Sequence, residues 1–247
     1  VGRPLRRAPQ GPPYPAFDRA PGALAVFPAP QPHTPEGFVV STAAMDANLL
    51  LAAYSQGIFP WSEAPVRWYS PTPRAVFLPQ SVHLPRNLGK LCRRGGFEVS
   101  FDGAFSAVMH HCQQAHGRAN QWIGPAFVEA YGALHRMGFA HSVEVWQAQR
   151  LVGGLYGVHL GDLFAGESMF HLVDNAAKAA FAGLLHELDA QGVRLMDAQV
   201  LNDNSDRLGA FEVARQTYLQ VLQHLVPPQQ LLQPRRWGRS GEAAAPI

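Results

Sequence analysis

The chain of 247 residues holds two cysteines and, among its 20 basic residues, only two lysines, Lys90 and Lys178. Cys92 and Cys112 form no CxxC pair and no framework of several bridges, so a disulfide scaffold is excluded and a reducing compartment is expected. No window approaches the roughly 18 apolar residues of a membrane span. Arg3, Arg6 and Arg7 precede a weakly apolar run, Ala23 to Phe27, but this run is short and hemmed by Pro21, Pro28 and Pro30. It is not read as a secretory signal, and a cytoplasmic protein is expected. There is no P-loop and no GxGxxG opening a helix, which counts against ATPases and nicotinamide enzymes. Formal charge is only +2, yet near neutrality does not exclude a nucleic-acid partner, because phosphate is bound by a local patch.

What is present is apolar material, 47% of the chain, enough for a substantial core. Ten of the 21 prolines fall within residues 1–35, so residues 1–26 are expected to be a disordered leader. Residues 227–247, with Arg235, Arg236 and Arg239, read as a flexible, solvated tail, a nucleic-acid contact by its arginines being the alternative. Asp46 is placed to cap a helix with Leu49, Leu50, Ala53 and Tyr54 on one face, ending at Gly57. The prolines at 60, 65, 71 and 73 predict that GIFPW and WYSPTPRAVF form a rigid aromatic loop. Projected on a helix, residues 83–96 gather Arg86, Lys90, Arg93 and Arg94 on one arc opposite Leu88, Leu91 and Cys92. With no acid at i+4 to neutralise it, that face suits an anion.

A short strand over 98–101 comes next, then a helix over 104–115. His110, His111, Cys112 and His116 match no tetrahedral ligand spacing, so no metal is expected. Pro125 opens a helix that ends at Gly138, with Phe127, Tyr131 and Leu134 on its apolar side. Residues 141–146 alternate as a strand and turn at 147–150 into the apolar stretch Leu151 to Phe170. A helix over 174–192, capped by Asp174 or Asn175, crosses to a return strand over 193–200. Residues 205–226 read as helix broken near Gly209, with no evident chemistry. The order predicts an α+β mixed sheet with one crossover.

Polar groups are few on the two apolar stretches. Period-two alternation puts Asp197 and Gln199 on one face of the return strand and Met196 and Ala198 on the other. An acid and an amide in one space fit either a buried structural pair or a reaction centre. GESMF, residues 166–170, resembles GxSxG but ends in Phe170 and lies within a strand, so Ser168 is not read as a nucleophile. A basic helix beside an apolar cleft suits acyl transfer from a polyanionic donor, either coenzyme A or an aminoacylated RNA. The nearest pyrophosphate-loop match, Arg150 to Leu155, enters a strand rather than a helix, which weakens coenzyme A.

In order, AYSQGIFPW (53–61), WYSPTPRAVF (68–77), WI (122–123), AHSVEVW (140–146), LVGGLYGV (151–158), FAGESMF (164–170), NAAKAAF (175–181) and DAQVLND (197–203) resemble the motifs of leucyl/phenylalanyl-tRNA protein transferases. The resemblance spans about Phe27 to Leu225. It implies a small N-terminal domain (27–75) before an acetyltransferase-like (GNAT-type) catalytic domain (76–226). It also implies a monomeric cytoplasmic enzyme, without cofactor, that moves Leu, Phe or less readily Met from aminoacyl-tRNA to the N-terminal Arg or Lys of a protein, marking it for degradation by the N-end rule. Trp122 matches the tryptophan that stacks on the terminal adenine, and Tyr131 lies beside it. Arg86, Lys90, Arg93 and Arg94 match the cluster that holds the acceptor stem. Glu167 and Met169 match the aminoacyl pocket, with Phe164 and Ser168 as further lining. Asp197 and Gln199 match the acid and amide at the reacting bond. The middle of that last motif, usually Cys, is Ala198 here. A coenzyme A-dependent N-acyltransferase and a non-catalytic tRNA-binding protein are the rival readings.

Overall fold

A computed structural model describes residues 25–30, 36–82, 84, 88–115, 123–228 and 233–238. In chain order these form β1 (Phe38–Thr42), α1 (Ala47–Ser55), β2 (Phe59–Glu63), β3 (Val66–Tyr69), β4 (Arg74–Phe77), α2 (Leu88–Gly95), β5 (Phe97–Phe101), α3 (Phe105–Ala115) and α4 (Pro125–Arg136). Then come β6 (Ala140–Gln147), β7 (Arg150–Leu160), β8 (Leu163–His171), α5 (Ala176–Ala190), β9 (Leu195–Gln199), α6 (Asp203–Arg207), β10 (Phe211–Val213) and α7 (Arg215–Leu225).

A small sheet, β1-β3-β2, lies N-terminal to a seven-stranded sheet ordered β10-β4-β9-β8-β7-β6-β5. The expected boundary at 75/76 falls inside β4, the first strand of the large sheet, while the last strand of the small one ends at Tyr69. Asp46 does cap α1, accepting from the Leu49 N–H at 2.8 Å, and Gly57 ends that turn with φ +71°. The aromatic segment is a loop only at 70–73, where Pro71 and Pro73 fall; Phe59 to Tyr69 folds as the β2–β3 hairpin and Arg74 to Phe77 as β4. Pro60 is tolerated because β2 is an edge strand, where one row of backbone donors has no ladder partner. Phe27 packs edge-on against Trp68 at 5.1 Å, anchoring the start of this unit.

The large sheet is antiparallel throughout except between β8 and β9, which run parallel and are joined by the crossover helix α5. Asn175 takes the N-cap position of α5 in a left-handed conformation, φ +68°, without a capping side-chain bond. Leu151 to Phe170 is not one strand. Gly161 and Asp162, a turn dipeptide with Gly161 at φ +56°, divide it into the β7–β8 hairpin. Residues 205–226 are helical on both sides of a break at Gly209, as the sequence suggests, but the break also holds β10, which pairs with β4. One face of the sheet packs against α3, α4 and the N-terminal unit, and the other against α5 and α2. On α2, Leu88 and Cys92 are buried while Lys90, Arg93 and Arg94 are exposed; Arg86 and the leader before Ala25 lie outside the described residues.

The C-terminal segment departs from expectation as well. Residues 233–238 are docked rather than solvated, because Trp237 finds an enclosed site: it is 5% exposed, its indole N–H donates to His159 Nδ1 at 3.0 Å, and its ring stacks on His141 at 4.6 Å. Among the described residues no helix is long and apolar enough to cross a membrane.

Candidate active site

β9 delivers a carboxylate to the interior. Asp197 is fully buried, and four donors converge on it: Arg74 Nε (2.8 Å) and the Gln199 N–H (2.8 Å) on Oδ1, Arg74 Nη2 (2.5 Å) and the Tyr218 hydroxyl (2.8 Å) on Oδ2. The antiparallel β4–β9 register sets Val76 opposite Asp197 and Ala75 opposite Gln199, with a bulge between, so Arg74 arrives from the next strand. Its guanidinium also donates to the Gly57 carbonyl at 3.0 Å and lies between the rings of Phe59 (4.8 Å) and Tyr218 (4.6 Å). Burial pulls the Arg74 pKa down, but Asp197 and then Tyr218 outweigh it and hold it above the ordinary arginine range. Gly57 must be glycine here, since a Cβ would meet Leu219 and Tyr218 of α7 at 2.6 and 2.9 Å.

Gln199 sits at φ +63°, a strained conformation for a side-chain-bearing residue that its N–H bond to Asp197 helps to hold. Its amide Nε2 donates to Glu167 Oε1 at 2.7 Å. Met196 joins the α5-side core, with Ala198 against it.

Glu167 owes its place to a β-bulge. In the β7–β8 register Tyr156 pairs with Ser168 and Gly157 with Gly166, so Glu167 has no partner residue. The extra residue reverses the alternation of β8: Leu163 and Ala165 face the α3–α4 side before it, and Phe170 faces that side after it. The Glu167 carboxylate accepts from Tyr54 at 2.6 Å and from Tyr131 at 3.2 Å, and those two hydroxyls are themselves 2.5 Å apart. Burial raises its pKa to about 8; the tyrosine hydroxyls and Arg74 oppose that rise, and Asp197 adds to it. A third phenol, Tyr156, lies edge-on to Tyr131 at 5.7 Å with its buried hydroxyl unpartnered.

The other predicted residues take varied positions. Tyr131 is fully buried, and its hydroxyl donates to Glu167. Ser168 is hydrogen-bonded to the thiol of Cys112, whose pKa burial pushes to about 12 although Ser168 opposes the rise. Phe164 is fully buried, 5.2 Å from Trp237, and belongs to the core rather than to a binding wall. Met169 is half-buried against the α5-side core. Trp122 lies outside the described residues, but the residues just C-terminal to it are firmly tied. Ile123 is buried with its carbonyl bound by Gln113 Nε2 at 2.9 Å, and Glu63 of β2 accepts from the Ala126 N–H at the start of α4. The run 150–155 lies within β7, so it leads to no helix N-terminus that could hold a pyrophosphate. Among the described residues no three His, Cys, Asp or Glu side chains are grouped to hold a metal ion.

Sequence reasoning missed Tyr54, Arg74, Tyr218 and Glu63. The first two lie inside the ordered family motifs, where a lone phenol and a lone arginine among apolar neighbours are the available signal. Nothing in the sequence marks Tyr218.

The fold and site define an α+β protein with a strained, hydrogen-bonded polar centre enclosed between a mixed sheet and a small N-terminal unit. The family model described as leucyl/phenylalanyl-tRNA protein transferase matches residues 76–223, and the model of its N-terminal domain matches 43–72. The leucyl/phenylalanyl-tRNA–protein transferase of Edwardsiella ictaluri is 44% identical over 215 residues, covering 85% of this chain and 88% of that one. That of Pseudomonas fluorescens is 46% identical over 198 residues, covering 78% and 88%. The chain belongs to the leucyl/phenylalanyl-tRNA protein transferase family and is a transferase. Solved structures resemble it more distantly. A GCN5-related N-acetyltransferase from Kribbella flavida has TM-score 0.37 at 13% identity, covering 67% of this chain and 60% of that one. L-PGS from Bacillus licheniformis has TM-score 0.40 at 11% identity, covering 68% and 55%.

Proposed function

We propose that this chain forms a peptide bond between the Leu or Phe of an aminoacyl-tRNA and the α-amine of an acceptor protein that begins with Arg or Lys, acting as a cytoplasmic monomer. The observation that carries the mechanism is the continuous hydrogen-bond path from Arg74 and Tyr218 through Asp197 and Gln199 to Glu167 and Tyr54. The amine nitrogen bonds to the ester carbonyl carbon, the bond from that carbon to the ribose oxygen breaks, and one proton passes from nitrogen to that oxygen. An aminoacyl ester is already activated, so holding a neutral amine against it supplies several of the roughly 7 to 11 kcal/mol available from proximity.

Asp197 is saturated by its four donors and takes no proton in this scheme. It fixes the backbone of Gln199, whose Oε1 then accepts an amine N–H and aims the nitrogen. Glu167 takes the ammonium proton; a cationic acceptor beside it favours its charged form and so draws off the proton it holds near neutrality. Glu167 also becomes the acid that reads the acceptor's basic side chain, since Asp197 is engaged by Arg74. Leu and Phe gain about 1.5 to 3 kcal/mol from apolar burial, which disfavours Ala and Val as donors.

Single-turnover transfer of labelled Leu from its tRNA to an Arg-initiated peptide tests this reading. Glu167→Gln and Gln199→Ala are each expected to slow the chemical step by about 10²- to 10⁴-fold; full rates in both would refute the assignment.

A further inference from the structure

The docking of Trp237 leaves a groove of about 600 Å³ between the C-terminal strap and the end of α4, lined by Arg136, Met137 and Gly138 on one side and Arg235 and Arg236 on the other. The strap is held by its backbone as well: Arg235 N–H donates to the Gly138 carbonyl at 3.0 Å, and Gln191 donates to the Arg236 carbonyl at 2.9 Å. Neither tie uses a guanidinium. Arg136 and Arg236 are exposed and Arg235 half-exposed, and none of the three forms an ion pair with a described residue. The acid in the groove, Asp102, is already committed, accepting from His141 at 2.8 Å and from the Ser142 N–H at 3.0 Å. Burial, then His141 and Arg235, lowers the His159 pKa to about 3, so it stays neutral and keeps accepting the Trp237 N–H.

The position of this patch indicates a partner. β5 is the edge strand of the large sheet, with Arg93 and Arg94 of α2 just before its first residue and the strap against its last, Phe101 lying 6.2 Å from Trp237. Five residues of strand span about 13 Å, so two cationic clusters flank one sheet edge, with Glu98 the exposed acid between them and Asp189 nearby at the end of α5. A nucleic-acid duplex carries one negative charge per about 1.7 Å of axis, so both clusters can face one RNA backbone.

We propose that the docked strap is a second RNA contact, in which Arg136, Arg235 and Arg236 bind phosphodiesters in the body of the donor tRNA, away from its aminoacylated end. This rests on the proposed use of aminoacyl-tRNA. The test measures binding of uncharged leucine tRNA against salt concentration for the full chain and for the triple variant R136A/R235A/R236A. The variant is expected to bind at least tenfold more weakly in about 0.1 M salt, with a log–log salt slope shallower by about 2 to 3, while a triple Lys variant keeps the slope. Transfer from a short aminoacyl-adenosine donor is expected to proceed at the unaltered rate. An unchanged slope, or an equal loss with the short donor, would overturn the inference. Failure of the unaltered chain to bind tRNA at all would instead overturn the proposed function, and this inference with it.

Discussion

Arg74 and Asp197 are each about 1% exposed, so their pairing is an all-or-nothing interaction. Removing one partner leaves an uncompensated interior charge, and Asp197→Ala is expected to lose about 3 to 5 kcal/mol in urea unfolding together with transfer activity. An Asp197 variant that is inactive but fully stable would show that the residue acts on the substrate rather than through the scaffold. Glu167 gives a pH signature. Its folded pKa of about 8 lies above the ordinary 4.5, so the folded chain keeps a proton that the unfolded chain releases. The stability this contributes is fully present below about pH 4.5 and is lost as pH rises to about 8. Glu167→Gln is expected to flatten that decline in unfolding experiments at pH 5, 7 and 9, and to abolish an activity inflection near pH 8. At this scale the sequence was half legible. Isolated polar groups on apolar strands drew attention to Asp197, Gln199 and Glu167, but the partners that define them, Arg74, Tyr54 and Tyr218, lie 123, 113 and 21 residues away along the chain.

Elements were legible where a local signal marked them. Asp46 capping α1, Pro125 opening α4 and alternation along β6 all act within a few residues, and each gives the element it predicts. Proline misled where its tolerance depended on a strand's place in the sheet, as in β2. The β8 bulge that positions Glu167 has no local signature, because it is a mismatch of count between two paired strands. The Ala126 N–H donates to Glu63, which joins the β2–β3 hairpin to the start of α4, four residues after Trp122 in the sequence. Glu63→Ala is expected to weaken this helix start by about 1 kcal/mol and to raise KM for the tRNA donor with little change in the rate at saturation. A change confined to the saturated rate would count against that positioning role.

At the scale of the whole molecule, Tyr54 of the N-terminal unit bonds both Glu167 and Tyr131 of the large domain, so the two units share one site. Tyr54→Phe is expected to reduce transfer by at least tenfold, with circular dichroism unchanged and any activity pH inflection moved upward, because the lost hydroxyl bond had lowered the Glu167 pKa. The C-terminal strap closes the opposite end of the core. Trp237→Ala removes a buried indole and its bond to His159, with an expected loss of about 3 to 5 kcal/mol, read as a drop in Tm.

By itself the sequence determined the kind of protein this is. Ordered motifs gave the family, composition excluded a disulfide scaffold, and periodicity gave the sheet, its crossover and a helix with one cationic face. All of these depend on interactions between residues close in the chain or on residue types alone. Only the tertiary structure decided that Asp197 is a saturated anchor, that Glu167 is raised to about 8 by burial among phenols, and that the arginine-bearing C-terminus is fastened rather than free. Desolvation and hydrogen-bond saturation depend on everything packed around a group, and those neighbours come from segments that the chain order does not place together.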